Sequence, residues 1–207
     1  MSDQLFGYGG CRNQLGTPRD RSRLKRCSTL YNKRSLLTGI YNDHGFLGFS
    51  VADTDSGKLL YTIQVQRFPK TGGSATAPSH GVSLSPDEKE IYLIDSINSY
   101  VHVFDISRLP GAFPKQVADI ALTGKLLGHE SGCAYDCVKD GWLHHGRNGR
   151  FVFVGDSGDV IDTKLRKTIA IFPAMANTRK EIEIDIDLEH GRTVWGMNNR
   201  SSIGGLH

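Results

Sequence analysis

The 207-residue sequence lacks the features that define several large classes of protein. No run approaches the roughly 20 apolar residues of a membrane-spanning helix, and the first residues, MSDQLFGYGGC, do not have the charged-then-apolar layout of a signal peptide. Four cysteines are too few to hold the fold together through disulfides. Nucleotide-binding fingerprints, nucleophile elbows and HExxH motifs are absent. We therefore expect neither a membrane span nor a disulfide-stapled scaffold, and no motif identifies an activity.

Net positive charge is concentrated in an N-terminal arm, residues 1–34. The arm holds eight of the 25 basic side chains and only two of the 22 acidic ones. The rest of the chain is therefore slightly acidic, and we expect no nucleic-acid binding by it. The arm has no strand or helix periodicity, and three interpretations stay open. It is a basic tail that contacts a phosphate-rich partner, a disordered extension, or non-native sequence from a truncated or misread gene start.

What the sequence does contain is a repeat, present at residues 82–122 and again at 142–172. Both copies have an apolar strand, a charged turn, a strand ending in Asp-Ser, a strand ending in Asp, and a last strand rich in Val, Ile and Ala. Four antiparallel strands per repeat are typical of a β-propeller blade. Residues 36–66 match a third blade whose first strand is absent or unrecognisable, and residues 180–196 match an incomplete one.

These repeats predict an all-β fold, a partial β-propeller of about three and a half four-stranded antiparallel blades over residues 35–207. Asp53, Asp105 and Asp162 mark the same third-strand end in successive blades. Two long connections, residues 67–81 and 125–141, separate the blades; we call them the first and second insertions. Long loops of repeat proteins tend to lie on one functional face.

The repeat resembles the YVTN family of β-propeller repeats, in which the second strand ends in a Tyr-Val-Thr-Asn-like tetrapeptide and the third in Val-Ile-Asp. The tetrapeptide positions hold Tyr92-Leu93-Ile94-Asp95 and Phe153-Val154-Gly155-Asp156, and the Val-Ile-Asp is literal at residues 160–162. The resemblance implies the C-terminal half of a seven-bladed ring. It also implies a periplasmic or extracellular protein whose signal peptide is missing from this sequence. The family includes surface-layer and binding proteins, and the wider superfamily includes lactonase-like and quinoprotein enzymes.

The second insertion contains a pair of cysteines in the sequence GCAYDC, Cys133 and Cys137. They are consistent with a small disulfide loop in an exported protein, with free thiols, or with half of a metal site. A zinc site would need two further ligands, for which His129, His144 and His145 are the nearest candidates. We predict no metal and no cofactor.

Histidines supply the remaining candidate chemistry. His80 ends the first insertion, near the expected mouth of the central channel, where it is either a base or ligand or else a loop histidine that caps a turn. His144 and His145 lie on a first strand, and by strand alternation only one of them is expected to face the channel. We name His80, His129 and His144 as candidate ligand-binding residues.

Two functions of different classes are consistent with this pattern. One is a non-catalytic binding module that holds a protein or small-molecule ligand on the loop-rich face. The other is a lactonase-like or metal-dependent hydrolase with its site at the channel mouth, which would need His80, His129 and either His144 or His145 to converge. An open half ring also exposes strand edges at both ends, which predicts self-association.

Overall fold

The computed structural model describes residues 29–31, 36–43, 46–68, 81–124, 126, 128–129, 139, 141–176 and 182–198. Within these ranges the protein is all-β, and three of its sheets have four antiparallel strands joined in chain order. The first blade consists of β1 (Thr29–Tyr31), β2 (Leu36–Asp43), β3 (Phe46–Asp53) and β4 (Leu59–Gln64). The second consists of β5 (Val82–Leu84), β6 (Glu90–Asp95), β7 (Tyr100–Asp105) and β8 (Lys115–Ala121).

The third blade consists of β9 (Trp142–His145), β10 (Phe151–Gly155), β11 (Asp159–Asp162) and β12 (Lys167–Ile171), followed by a 3-10 turn at Pro173–Met175. A two-stranded sheet, β13 (Ile182–Asp187) and β14 (Arg192–Asn198), comes last. The predicted all-β fold of antiparallel four-stranded blades, about three and a half in number, is therefore confirmed. Among the described residues no helix is long and apolar enough to cross a membrane.

The first blade has a strand that the sequence did not reveal. Residues 29–31 pair antiparallel with β2, from Thr29 opposite Gly39 to Tyr31 opposite Leu37. They lie inside the stretch assigned to the basic arm. A three-residue strand is too short to show a period of two, and the charged residues around it hide it further. Residues 1–28 of the arm lie outside the described residues.

The blades stack face to face, and the core lies between them. One apolar cluster joins the first and second blades, where the rings of Phe49 and Phe104 meet edge to face at 5.0 Å. A second cluster joins the second and third blades around Tyr92, Ile94 and Leu143. The innermost strands follow one another, since β5 contacts both β1 and β9. This is the arrangement of a propeller, in which each sheet buries its faces against its neighbours.

The third strand of each blade ends in an aspartate that holds the next turn. Asp53 accepts a hydrogen bond from the backbone N–H of Ser56 at 2.6 Å, and Asp105 accepts one from Ser107 at 2.8 Å. Asp162 accepts two, from Lys164 and Leu165, at 2.9 Å each. These bonds explain why the aspartate recurs, because its carboxylate satisfies turn amides that have no ladder partner.

The chain direction gives each blade two different ends. The turns that join first to second and third to fourth strands lie at one end, which we call the turn end. Because the strands alternate in direction, both insertions leave from the opposite end, which we call the loop-rich end. The turns that join second to third strands lie there as well.

Candidate functional site

The candidate residues named from the sequence are only partly within the described structure. His80, Cys133 and Cys137 lie outside the described residues, so the disulfide and the channel-mouth histidine stay predictions. His129 is exposed in the second insertion. His144 is buried on β9, with 2% of its surface exposed.

His144 and His145 occupy opposite faces of β9. The ring of His145 meets Tyr92 of the second blade edge on at 4.6 Å, whereas His144 lies near Phe153 of its own blade, with ring centroids 6.4 Å apart. The two rings therefore have different neighbours, as strand alternation predicts, and the orientation of one ring toward the channel stays a prediction. Side chains of a strand project from the two sheet faces, and in a propeller these faces contact neighbouring blades.

A buried polar cluster lies at the loop-rich end between the first and second blades. His102 on β7 is fully buried, with its Nδ1 2.8 Å from Asp119 Oδ1 and its Nε2 3.3 Å from Asp95 Oδ2. Asp119 also accepts a hydrogen bond from Arg67 at 2.8 Å. We call Arg67, Asp95, His102 and Asp119 the polar cluster. The sequence shows His102 only as a single histidine in an apolar strand, so its partners could not be inferred.

The polar cluster lies at the base of the first insertion. Phe68, the last described residue before the insertion's undescribed part, packs edge on against Tyr100 at 4.8 Å and His102 at 4.6 Å. Asp95 also accepts hydrogen bonds from the backbone and side chain of Asn98 at 3.0 and 2.7 Å. The cluster therefore connects the insertion to the turn between second and third strands.

The end of the second insertion is held by a residue equivalent to Asp95. Asp156 accepts a hydrogen bond from the backbone N–H of Gly141 at 3.2 Å, and Lys139 donates to the carbonyl of Ala176 at 3.0 Å. Gly141 has a positive φ of 77°, and a side chain there would collide with Ile94 and Leu126. The repeated Asp-Ser pairs thus anchor loops, which is the structural role that the repetition favours.

A cavity of about 270 Å³ lies at the turn end between the second and third blades. Its floor includes Glu90, Tyr92 and His145. Its rim is formed by three turns, with these lining residues: Ser85, Pro86 and Asp87; Asn148 and Gly149; Thr163 and Lys164. We call it the seam cavity. Nothing in the sequence pattern marks it, because its walls come from turns of two different blades.

An ion pair between the blades lies beside the seam cavity and engages its lining residues Glu90 and Tyr92. The guanidinium of Arg166 donates to both carboxylate oxygens of Glu90 and to the hydroxyl of Tyr92. Its charge also lies over the Tyr92 ring, 5.7 Å from the centroid. Burial, together with the negative charge of Glu90, raises the pKa of Tyr92 well above its usual value, so the phenol stays protonated and donates to Glu90 at 3.1 Å.

His145 is a buried histidine that reaches the seam cavity. Its Nδ1 lies 2.5 Å from the hydroxyl of Ser83, and its Nε2 has no hydrogen-bond partner among the described residues. Burial, with a smaller contribution from the charge of His144, lowers the pKa of His145 from 6.5 to about 3. The ring is therefore neutral at ordinary pH and carries one N–H.

Comparisons with known proteins agree with the fold and go no further. A scan against models of protein families and a search of curated proteins match nothing. Hydrazine synthase from Kuenenia stuttgartiensis is 15% identical, with a TM-score of 0.46 over 82% of this chain and 48% of that one. The β-propeller domain of the trilobed protease from Pyrococcus furiosus is 10% identical, with a TM-score of 0.36 over 78% and 46%.

A candidate 6-phosphogluconolactonase from Bacteroides fragilis is 14% identical, with a TM-score of 0.39 over 84% of this chain and 39% of that one. This chain thus spans less than half the length of each of these three. The fold is a β-propeller. At these identities the similarity concerns the fold alone, and the site must be argued from this chain's own residues.

Proposed function

We propose that the chain is a non-catalytic binding module built from YVTN-like propeller repeats, which holds a protein or small-molecule ligand at the loop-rich end. The polar cluster is the observation that carries the proposal. The carboxylates of Asp95 and Asp119 lie within hydrogen-bond distance of the two ring nitrogens of His102, and Asp119 also accepts a hydrogen bond from Arg67. Because His102 is fully buried and both of its ring nitrogens lie at carboxylates, the cluster supports the adjoining loop and offers a substrate no accessible imidazole.

Side-chain contacts hold the described end of each insertion to the blades. Phe68 packs on the polar cluster at the start of the first insertion, and Asp156 accepts a hydrogen bond from Gly141 at the end of the second. Binding residues are commonly found on loops that a rigid scaffold positions. Both insertions leave from the same end of the propeller, so one ligand can contact both.

The hydrolase alternative needs histidines that converge, and the described geometry favours the binding module. His144 and His145 lie on opposite faces of β9, and His129 is exposed in the second insertion. No group of three or more His, Cys, Asp or Glu side chains suited to a metal ion occurs within the described part of the chain. Three ligands are what a catalytic zinc site usually requires from a protein.

A loop exchange in the full chain tests the proposal. Residues 69–80 are replaced by a Gly-Ser segment of the same length, and both proteins are screened on one array of synthetic peptides, glycans and metabolites. The matched control is Lys58→Ala, an exposed residue at the turn end. We expect binders of the native chain to be lost on the exchange and retained by the control.

The enzyme alternative is tested in parallel by incubating the protein with a simple lactone and measuring the acid that hydrolysis releases. We expect no hydrolysis above the buffer rate. Saturable hydrolysis that disappears in His144→Ala would support the hydrolase and overturn the binding module. Binding that survives the loop exchange, or an array with no binder, would remove the loop-rich end as the ligand site.

A further inference from the structure

We propose that the seam cavity is a second binding site, at the end opposite the insertions, for a small organic monoanion that carries one carboxylate. The inference depends on which polar groups around the cavity are already engaged and which remain to meet a ligand. It is independent of the proposed function, because it concerns the other end of the propeller.

The acceptor groups of the cavity are engaged. Both oxygens of Glu90 accept from Arg166, and the Asp87 carboxylate accepts from Ser85 at 2.7 Å and pairs with Lys89 at 3.4 Å. A ligand that offers hydrogen-bond donors therefore finds little that is free. A positively charged ligand group would also have to displace Arg166 from Glu90 or Lys89 from Asp87.

The groups that remain are donors. The ammonium of Lys164 has no ion-pair partner among the described residues, and Asn148 uses only its side-chain oxygen, which accepts from Arg150 at 2.9 Å. His145 lines the cavity with Nε2 unpartnered in the described structure. When Ser83 donates to Nδ1, the neutral ring carries its proton on Nε2, which is then a third donor.

Three donors, one of them charged, are suited to a carboxylate, since charge-assisted hydrogen bonds are the stronger ones. The carboxylates of Asp87 and Glu90 at the same cavity disfavour a dianion such as a phosphate monoester. The cavity volume, about 270 Å³, is close to the smallest volume that is usual for ligand pockets. It limits the ligand to a molecule of a few carbon atoms. The turns also keep the walls close, because a Cβ added at Gly149 would lie only 3.2 Å from the Pro86 ring.

Titration calorimetry on the full chain tests this site, with monocarboxylates from acetate to hexanoate, with and without hydroxyl groups, and with phosphate as the dianion. We expect saturable carboxylate binding that weakens about tenfold or more in Lys164→Gln. Lys167→Gln is the matched control, because it makes the same change of charge three residues away, at the start of β12 and outside the cavity lining. It should bind as the native chain does.

A second pair of variants keeps the test independent of the lysine. His145→Asn retains a polar atom near Ser83 and removes the Nε2 position, whereas His144→Asn makes the same change on the opposite face of β9. We expect weaker binding only in the first variant, and a ligand-dependent shift of the His145 Nε2 resonance in the native chain. No binding at millimolar carboxylate, equal losses in Lys164→Gln and Lys167→Gln, or preferred binding of phosphate would each overturn the proposal.

Discussion

The neutral state of His145 predicts how the stability of this protein depends on pH. In the unfolded chain the imidazole binds a proton below about its ordinary pKa of 6.5, but in the folded chain it does so only near 3. Between these values the unfolded state binds the extra proton. The free energy of unfolding is therefore highest above pH 6.5, where His145 is neutral in both states, and it decreases as the pH falls toward 3.

The size of this loss follows from the two pKa values. On lowering the pH from about 7.5 to about 5, His145 alone should reduce the free energy of unfolding by about 2 kcal/mol. The three aspartates that end the third strands contribute little in this range. The pKa values of Asp53, Asp105 and Asp162 are lowered from 3.8, so their contributions are lost only at more acidic pH.

The native chain and His145→Asn are unfolded in urea at both pH values, and tryptophan fluorescence reports the transition. The native chain should lose about 2 kcal/mol more than the variant over this range. His190→Asn is the control, because His190 is 64% exposed and only pairs with Asp187 at the surface. It should keep the native pH dependence, since exposed ion pairs contribute little.

Equal pH dependence in the native chain and His145→Asn would refute the argument. It would mean that the seam opens and hydrates the ring at no measurable cost. A smaller native loss than that of the variant would contradict the sign itself.

Two further predictions concern the joints between blades. Gly124→Ala should reduce the free energy of unfolding in urea by about 1–3 kcal/mol, because the added Cβ would lie closer than 3.0 Å to the Ser157 carbonyl oxygen. Gly111→Ala is the control and should be near neutral, because its added Cβ meets only ordinary contacts. In a double-mutant cycle of Arg166→Gln and Glu90→Gln, the coupling energy should be about 1 kcal/mol, since both side chains are partly buried and the pair is bidentate. Additive losses would show that the ion pair does not join the blades, and an unchanged Gly124→Ala would show that the joint can relax.

Local patterns in the sequence predict most of the fold. Strands β5 to β12 follow runs of apolar residues that are closed by turn residues, and the recurrent third-strand aspartates hold turns as their repetition suggests. Strand β1 was not predicted, because a strand of three residues is too short to show the alternation of apolar and polar residues. Edge strands β4, β8 and β12 are outermost in their sheets, and β12 exposes Ile169 and Ile171. Self-association through such edges stays a prediction.

The candidate sites were much less accessible to sequence reasoning. His102 and His145 look alike in the sequence, each a histidine within an apolar strand. One lies between two carboxylates, and the other has a hydroxyl on one side and a cavity on the other. Burial and partner charge decide what an imidazole does, and neither is a property of its neighbours in the chain.

The sequence by itself determined the blade, because a period of two, turn chemistry and a repeated aspartate are local instructions that each segment can follow alone. Only the tertiary structure decided where polar groups meet. Arg166 reaches Glu90 across 76 residues of chain, and Arg67 reaches Asp119 across 52. Such contacts form when one blade stacks on the next. The stacking angle of two sheets is set by the packing of their whole faces, so the polar cluster and the seam cavity arise only when the blades are assembled.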